Sequence, residues 1–306
     1  MRTVVAAVVL SPALVVTGCA HTVLSISHAR KGQIFAVGAE SQYSDVIGQV
    51  GGKYVSTAAV MDNPSTDPHT FESSPSVAQA VGSAQLIVQN GLGYDNFMHK
   101  IEQASPNPKR KTVDVQQVLN LPGSTQNPHL WYQPSTMPAV ADAIAADLSE
   151  IQPTHAAYFR QNAATFTQSL AAWNQALGAL KSAFPSAPVA TTEPIADYLL
   201  QAAGLDDLTP WAFQADVMNG VDPSPQDTSL LKGLLTGHKV KAFVYNQQVT
   251  DSLTKSMLAL AEQNHVPVVG VYETMPTPGY NYQKWMQAEV QALHNALAKG
   301  TSTTKL

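Results

Sequence analysis

The stretch Phe159-Arg160-Gln161-Asn162-Ala163-Ala164-Thr165-Phe166-Thr167-Gln168-Ser169-Leu170-Ala171-Ala172-Trp173-Asn174-Gln175-Ala176-Leu177-Gly178-Ala179-Leu180 carries large apolar residues at spacings of 7, 4, 3, 4 and 3. Those intervals keep Phe159, Phe166, Leu170, Trp173, Leu177 and Leu180 on one side of an α-helix. Pro153 suits the first helical turn, and Pro185 closes the run. About 30 residues at 1.5 Å each predict a helix of roughly 45 Å, enough to traverse the whole molecule.

The chain on either side of this helix has one design. Before it, strand-like runs at 33–38, 54–60, 86–89 and 112–115 alternate with helix candidates at 43–50, 77–82 and 97–103. After it, strand candidates at 188–192, 242–245 and 266–272 alternate with helical stretches at 196–203, 228–235, 253–264 and 282–298. Residues 211–225 read as a loop rich in Asp, Gly and Pro, and the polar tail after Lys299 as frayed. Such alternation predicts an α/β fold of parallel sheets flanked by helices. The expected organisation is an N-terminal lobe over 33–150, a linking helix over 151–184 and a C-terminal lobe over 185–306.

Four polar residues stand out against that frame. His69 lies in the proline-braced Thr66-Asp67-Pro68-His69-Thr70-Phe71-Glu72, and His129 in Asn127-Pro128-His129-Leu130-Trp131. Glu193 and Glu273 sit where the apolar runs Val189-Ala190-Thr191-Thr192 and Val268-Val269-Gly270-Val271-Tyr272 end. Open α/β sheets bind ligands at the carboxyl ends of their strands. Two lobes facing each other would therefore bring His69 and His129 from the first, and Glu193 and Glu273 from the second, into an interlobe metal site. Imidazole serves zinc, copper, iron and nickel, and carboxylate oxygens also suit manganese. Two neutral imidazoles and two carboxylates balance a divalent cation. Asn127 and Trp131 are placed to orient and shield the His129 ring. Blander readings exist: Glu193 as a cap for the turn starting at Pro194, Asp197 in its place, and Glu273 as a solvated loop acid. The other histidines, at 99, 155, 238, 265 and 294, read as structural.

The Asp-Pro-His loop, Asn90-Gly91-Leu92-Gly93, Asn127-Pro128-His129 and the two acidic strand ends resemble the metal-binding lipoproteins of zinc/manganese-type ABC importers. The resemblance implies a receptor, not an enzyme, that captures Mn2+, Zn2+ or Fe2+ outside the membrane and hands it to a permease and its ATPase. It also implies a single linking helix that limits hinge motion, and lobe closure that creates the surface the permease recognises. Zinc members usually carry a third histidine where this chain has Glu193, together with a His-rich acidic loop that is missing here, so manganese is favoured and zinc comes next. The family's usual aspartate is Glu273 in this chain, one methylene longer.

Composition fits this reading. The 306 residues are 44% hydrophobic and 13% charged with a formal charge of −5, and no Lys/Arg stripe points to nucleic acid. Arg2 and the apolar run Val4–Val16 read as a signal peptide, too short for a bilayer span. Val16-Thr17-Gly18-Cys19 resembles a lipobox, so residues 1–19 are expected to end in a lipidated Cys19, with 20–32 as tether. Cys19 is the sole cysteine, which excludes internal disulfides and thiolate metal sites. The expected product is a monomer held on the outer side of a bacterial membrane by lipid alone. Two other classes compete: a metal-dependent hydrolase, for which Gly-x-Ser-x-Gly and His-Glu-x-x-His are missing, and a surface adhesin or scaffold.

Overall fold

A computed structural model describes residues 31–64, 71, 73–276 and 278–306. The first sheet contains β1 (Ile34–Glu40), β2 (Val55–Met61), β3 (Leu86–Gln89) and β4 (Lys111–Asp114), in the order β2-β1-β3-β4. The second contains β5 (Pro188–Thr191), β6 (Asp206–Asp207), β7 (Ala242–Asn246) and β8 (Val268–Val271), in the order β6-β5-β7-β8. Every strand pair within the two sheets is parallel. The inner strands β1 and β7 are buried along their whole length, as near-continuous apolar runs should be when helices cover both faces. Gly38 is obligatory in β1, because a Cβ there would lie 2.4 Å from the backbone nitrogen of Ser44 in α1 (Ser41–Gly51).

The α/β expectation holds, with two sheets on either side of a long helix. Strand β1 runs two residues beyond its anticipated end at Gly38, and β7 one residue beyond Tyr245. The polar residues Glu40 and Asn246 thereby become strand termini. The expected loop at 211–225 begins with a helix, Trp211–Met218, whose Phe213 and Val217 are buried. Its turn-forming composition belongs only to residues 219–225. A further helix, Thr136–Ile151, buries Met137, Val140, Ile144 and Leu148 at helical spacing. The tail after Lys299 is not frayed: Thr303 pairs with Val269, donating to Val268 O and accepting from Gly270 N, both at 2.8 Å.

The linking helix is bent. It runs as α6 (Ala156–Ser169) and α7 (Ala171–Ala183), with Leu170 between them at φ −79°, ψ −5°. Ser169 Oγ donates to the Phe166 carbonyl at 2.6 Å, the acceptor that Leu170 N–H would use in an unbroken helix. Leu170 N–H turns instead to Thr167 O at 3.2 Å. Such back-bonding by serine bends helices. Gln283 Nε2 donates to the same Ser169 hydroxyl at 2.7 Å, fixing the bend to α12 (Tyr282–Lys299). All six residues of the apolar stripe are buried, in one hydrophobic cluster that reaches both sheets. Each sheet also packs a second, smaller cluster of its own. No helix among the described residues is long and apolar enough to cross a membrane.

An acid lies buried in the seam between the lobes. Glu289 on α12 accepts from Trp285 Nε1 at 2.8 Å and lies 3.0 Å from Tyr132 Oη, which donates at 2.9 Å to Tyr272 O. Burial pushes the carboxyl up to about 8, despite hydrogen bonds that favour its charged form. The folded chain therefore holds a proton that the unfolded chain gives up near 4.5. Stability from this group is fully present below that value and is lost as pH rises towards about 8. In urea unfolding of metal-free protein between pH 5 and 8, Glu289→Gln is expected to flatten the decline by up to about 1.4 kcal/mol per pH unit. An unchanged slope would show that the acid is ionised in the fold.

Candidate metal centre

The C-terminal ends of the strands supply the polar residues. Glu193 follows β5 in extended backbone, φ −150° and ψ 165°, ahead of the 3-10 turn Pro194–Ala196. Its side chain caps nothing. It turns instead to Asn246 at the end of β7, whose Nδ2 donates to Glu193 Oε1 at 3.0 Å and to Glu273 Oε1 at 2.8 Å. Both amide hydrogens are used by the two carboxylates, which gathers the acids side by side. Asn246 Oδ1 accepts from Gln248 N at 2.9 Å, which fixes the orientation of the amide.

Glu273 is held from every side and is fully buried, so it is no solvated loop acid. Gln248 Oε1 accepts from its backbone N–H at 2.7 Å, and Gln42 Nε2 donates to its carbonyl at 3.1 Å. Tyr94 Oη donates to its Oε2 at 2.7 Å. Gln42 and Tyr94 come from the first lobe, Asn246 and Gln248 from the second.

His129 is equally constrained. Asn127 Nδ2 donates to Pro194 O at 2.6 Å, so its Oδ1 is an acceptor. That oxygen lies 2.8 Å from His129 Nδ1 and 3.0 Å from His129 N. Nδ1 therefore carries the proton, and Nε2 presents its lone pair. The rings of Tyr94 and Trp131 meet the imidazole edge-on at 5.8 and 5.4 Å. His129 Nε2 and Glu273 Oε2 are 3.6 Å apart. Two donors on one ion stand about 3.3–3.6 Å apart when each bond is about 2.0–2.2 Å and the angle is tetrahedral.

The Asn90-Gly91-Leu92-Gly93-Tyr94 segment positions this wall of the site. Gly91, Leu92 and Gly93 all have positive φ, 79°, 54° and 80°, a run that only glycine-rich sequence sustains. Asp95 accepts from the N–H groups of Asn90 and Gly91, while Asn90 Nδ2 donates to Pro128 O at 2.9 Å, beside His129. Burial raises Asp95 to about 6, with those backbone bonds acting against it. The turn thus serves to seat Tyr94 and the histidine loop.

Three of the four anticipated residues, His129, Glu193 and Glu273, are brought together and buried. His69, Asp67 and Cys19 lie outside the described residues. Among the described residues, no three His, Cys, Asp or Glu are arranged to hold a metal ion by themselves. Asp197 does not stand in for Glu193: its carboxylate takes Gln214 Nε2 at 3.2 Å, within a network that includes Thr191 and Asp207. His155 stacks on Tyr54 with ring centroids 3.7 Å apart, and His294 packs against Phe184, in line with structural roles.

Four residues escaped the sequence reading: Glu40, Tyr94, Asn246 and Gln248. Glu40 and Asn246 share a readable signal, a polar residue that ends an apolar strand. Glu40 is 0% exposed, and burial, with Asp95 and then Glu273 nearby, pushes its carboxyl well above the usual range.

Asn246→Ala removes the donor that gathers the two carboxylates, so metal affinity is expected to fall about 10–100-fold. Competition with a chromophoric chelator measures this directly, and an affinity within threefold of wild type would refute the bracing role.

Comparison with known proteins gives the family and the fold. The sequence profile of the family described as zinc-uptake complex component A, periplasmic, matches residues 37–296. The manganese-binding lipoprotein MntA of Bacillus subtilis is 29% identical over 174 residues, 53% of this chain and 54% of MntA. The chain thus aligns with about half the length of that relative. Among solved structures, the periplasmic zinc-binding protein TroA of Treponema pallidum superposes with a TM-score of 0.74 at 17% identity, over 88% of this chain and 100% of TroA. The solute-binding protein FpvC of Pseudomonas aeruginosa, in complex with Mn2+, gives 0.71 at 18% identity, over 87% and 99%. At those identities the likeness is one of fold, two parallel sheets about a long bent helix. With the profile spanning both lobes and the helix between them, the chain belongs to the zinc-uptake component A family of metal-binding solute-binding proteins.

Proposed function

We propose that this protein is the extracytoplasmic receptor of an ABC metal importer, with His69, His129, Glu193 and Glu273 as the ligands of its cargo. The observation that carries the reading is the pair of acids gathered on Asn246, with His129 Nε2 3.6 Å from Glu273. Two neutral imidazoles and two carboxylates give a nearly neutral loaded site built from nitrogen and oxygen alone. That donor set suits a divalent transition ion, manganese first and zinc next. Zinc binds such sites more tightly in the test tube by the Irving–Williams order, so selection in the cell rests on geometry and supply.

In this reading the first lobe, 33–150, supplies the histidines and the second, 185–306, the acids. Closing the lobes on the ion removes it from water, and the closed surface docks on the permease, whose ATPase drives release. Four protein ligands leave little room for the open water position that metal hydrolases keep. Lipidated Cys19 holds the monomer at the membrane, with 20–32 as its tether.

The test is metal content by mass spectrometry on residues 20–306 purified from the native envelope. About one equivalent of manganese or zinc is expected in the wild type, and less than a tenth of that in a His69→Ala/His129→Ala double variant. No stoichiometric metal in either protein, even after reloading, would overturn the assignment.

A further inference from the structure

β8 is the edge strand of the second sheet, and its sequence Val268-Val269-Gly270-Val271 carries neither charge nor proline. Such an edge is a template for pairing, because every second residue turns its N–H and C=O away from the sheet. Residues 301–306 take that place. Val268 N–H donates to Ser302 Oγ at 3.0 Å. Val268 O accepts from Thr303 N–H, and Gly270 N–H donates to Thr303 O, both at 2.8 Å. Gly300, left-handed at φ 64°, ends α12 and turns the chain onto the strand. Gly270 permits the close approach, since a Cβ there would lie 2.0 Å from Thr304 O. The obstacle is backbone, so no side chain can swing aside to make room. Further on, Leu306 N–H donates to Tyr272 Oη at 3.3 Å, and Leu306 packs on the main hydrophobic cluster. Tyr272 is also held by the first lobe: its N–H donates to Tyr132 Oη at 3.3 Å, and its carbonyl accepts from that hydroxyl at 2.9 Å. Glu273 is the next residue in the chain.

We propose that residues 301–306 are a positioning strap for Glu273: by pairing with β8 they fix the strand end from which this ligand projects, and so set how firmly the cargo ion is held. The inference rests on the receptor reading above, in which Glu273 is a ligand. Backbone held by few contacts opens first in a native fold. The outward N–H groups of Val268, Gly270 and Tyr272 are all taken, the first two by the strap and the third by Tyr132. Without the strap the first two turn to water, and the Tyr272 ring loses its bond to Leu306. Glu273 then projects from a strand end that moves more widely. The ion must order its own ligand, which weakens binding and speeds release.

The experiment measures affinity and release of Mn2+ and Zn2+ by competition with a chromophoric chelator, well below the thermal midpoint of each protein, with hydrogen exchange on the metal-free forms. Wild type is compared with a chain shortened to end at Gly300, with Gly270→Ala and with Ser302→Ala. The shortened chain, and Gly270→Ala, which expels the strap, are each expected to bind about tenfold more weakly, chiefly through faster release. Exchange at Val268 and Gly270 is expected to rise in both. In the shortened chain Gly270→Ala is expected to add nothing, since its clash is with the strap. Ser302→Ala, which removes one hydroxyl and folds in any case, is expected to expose Val268 to exchange and to speed release, and Ser302→Thr to restore both. A lowered midpoint with affinity and release within threefold of wild type in every variant would make the segment a stabiliser of the fold alone. That result would overturn the proposal while the receptor reading stood. Should the shortened chain fail to fold, unchanged release in Ser302→Ala and Gly270→Ala would overturn it equally. A wild type that bound neither ion would defeat the receptor reading, and the proposal with it.

Discussion

Glu273 is the point on which the two lobes meet. Its carboxylate is shared by Tyr94 from the first lobe and Asn246 from the second, and its backbone by Gln42 and Gln248 in the same way. A buried carboxylate needs such donors, because an ionised group stripped of water is stable only when its lone pairs are satisfied. The requirement orders the surroundings. The Asn90–Tyr94 turn exists to bring Tyr94 to Glu273, and its amide pins the His129 loop at Pro128. Asn246 joins Glu273 to Glu193, so the second lobe offers its acids as one unit.

The linking helix and α12 set how the two halves stand to one another. The bend at Leu170 follows from one hydroxyl, Ser169 Oγ, which takes the Phe166 carbonyl and is itself held by Gln283. From the start of α12, Tyr282 reaches the first lobe through its N–H on Asp45 and its hydroxyl on the Trp131 carbonyl. Trp173 and Trp285 pack edge-on against the Tyr282 ring at 6.0 and 6.4 Å. The seam between the lobes is thus aromatic and hydrogen-bonded along its length.

Much of this was legible in the sequence where one residue type has one physical use. The Phe159–Leu180 stripe gave the long helix, and apolar runs ending in Glu193 and Glu273 gave two members of the site. What escaped depends on partners remote in the chain. Ser169 is an ordinary helix residue until Gln283, 114 positions later, meets it. The tail after Lys299 is polar by composition, yet the open edge of β8 accepts it as a paired segment. Glu40 and Asn246 were missed because their strands were ended early, at Gly38 and Tyr245. In parallel sheets the residue just past that point is the one that faces the ligand.

The central claim is that one divalent ion sits where the ends of the two sheets face each other. Anomalous diffraction from crystals grown with Mn2+, recorded at the manganese edge, tests it most directly. The account predicts a single strong peak within bonding distance of His129 Nε2 and of the Glu193 and Glu273 carboxylates, with His69 closing the set. A peak elsewhere on the molecule, with none between His129 and the two carboxylates, would contradict it.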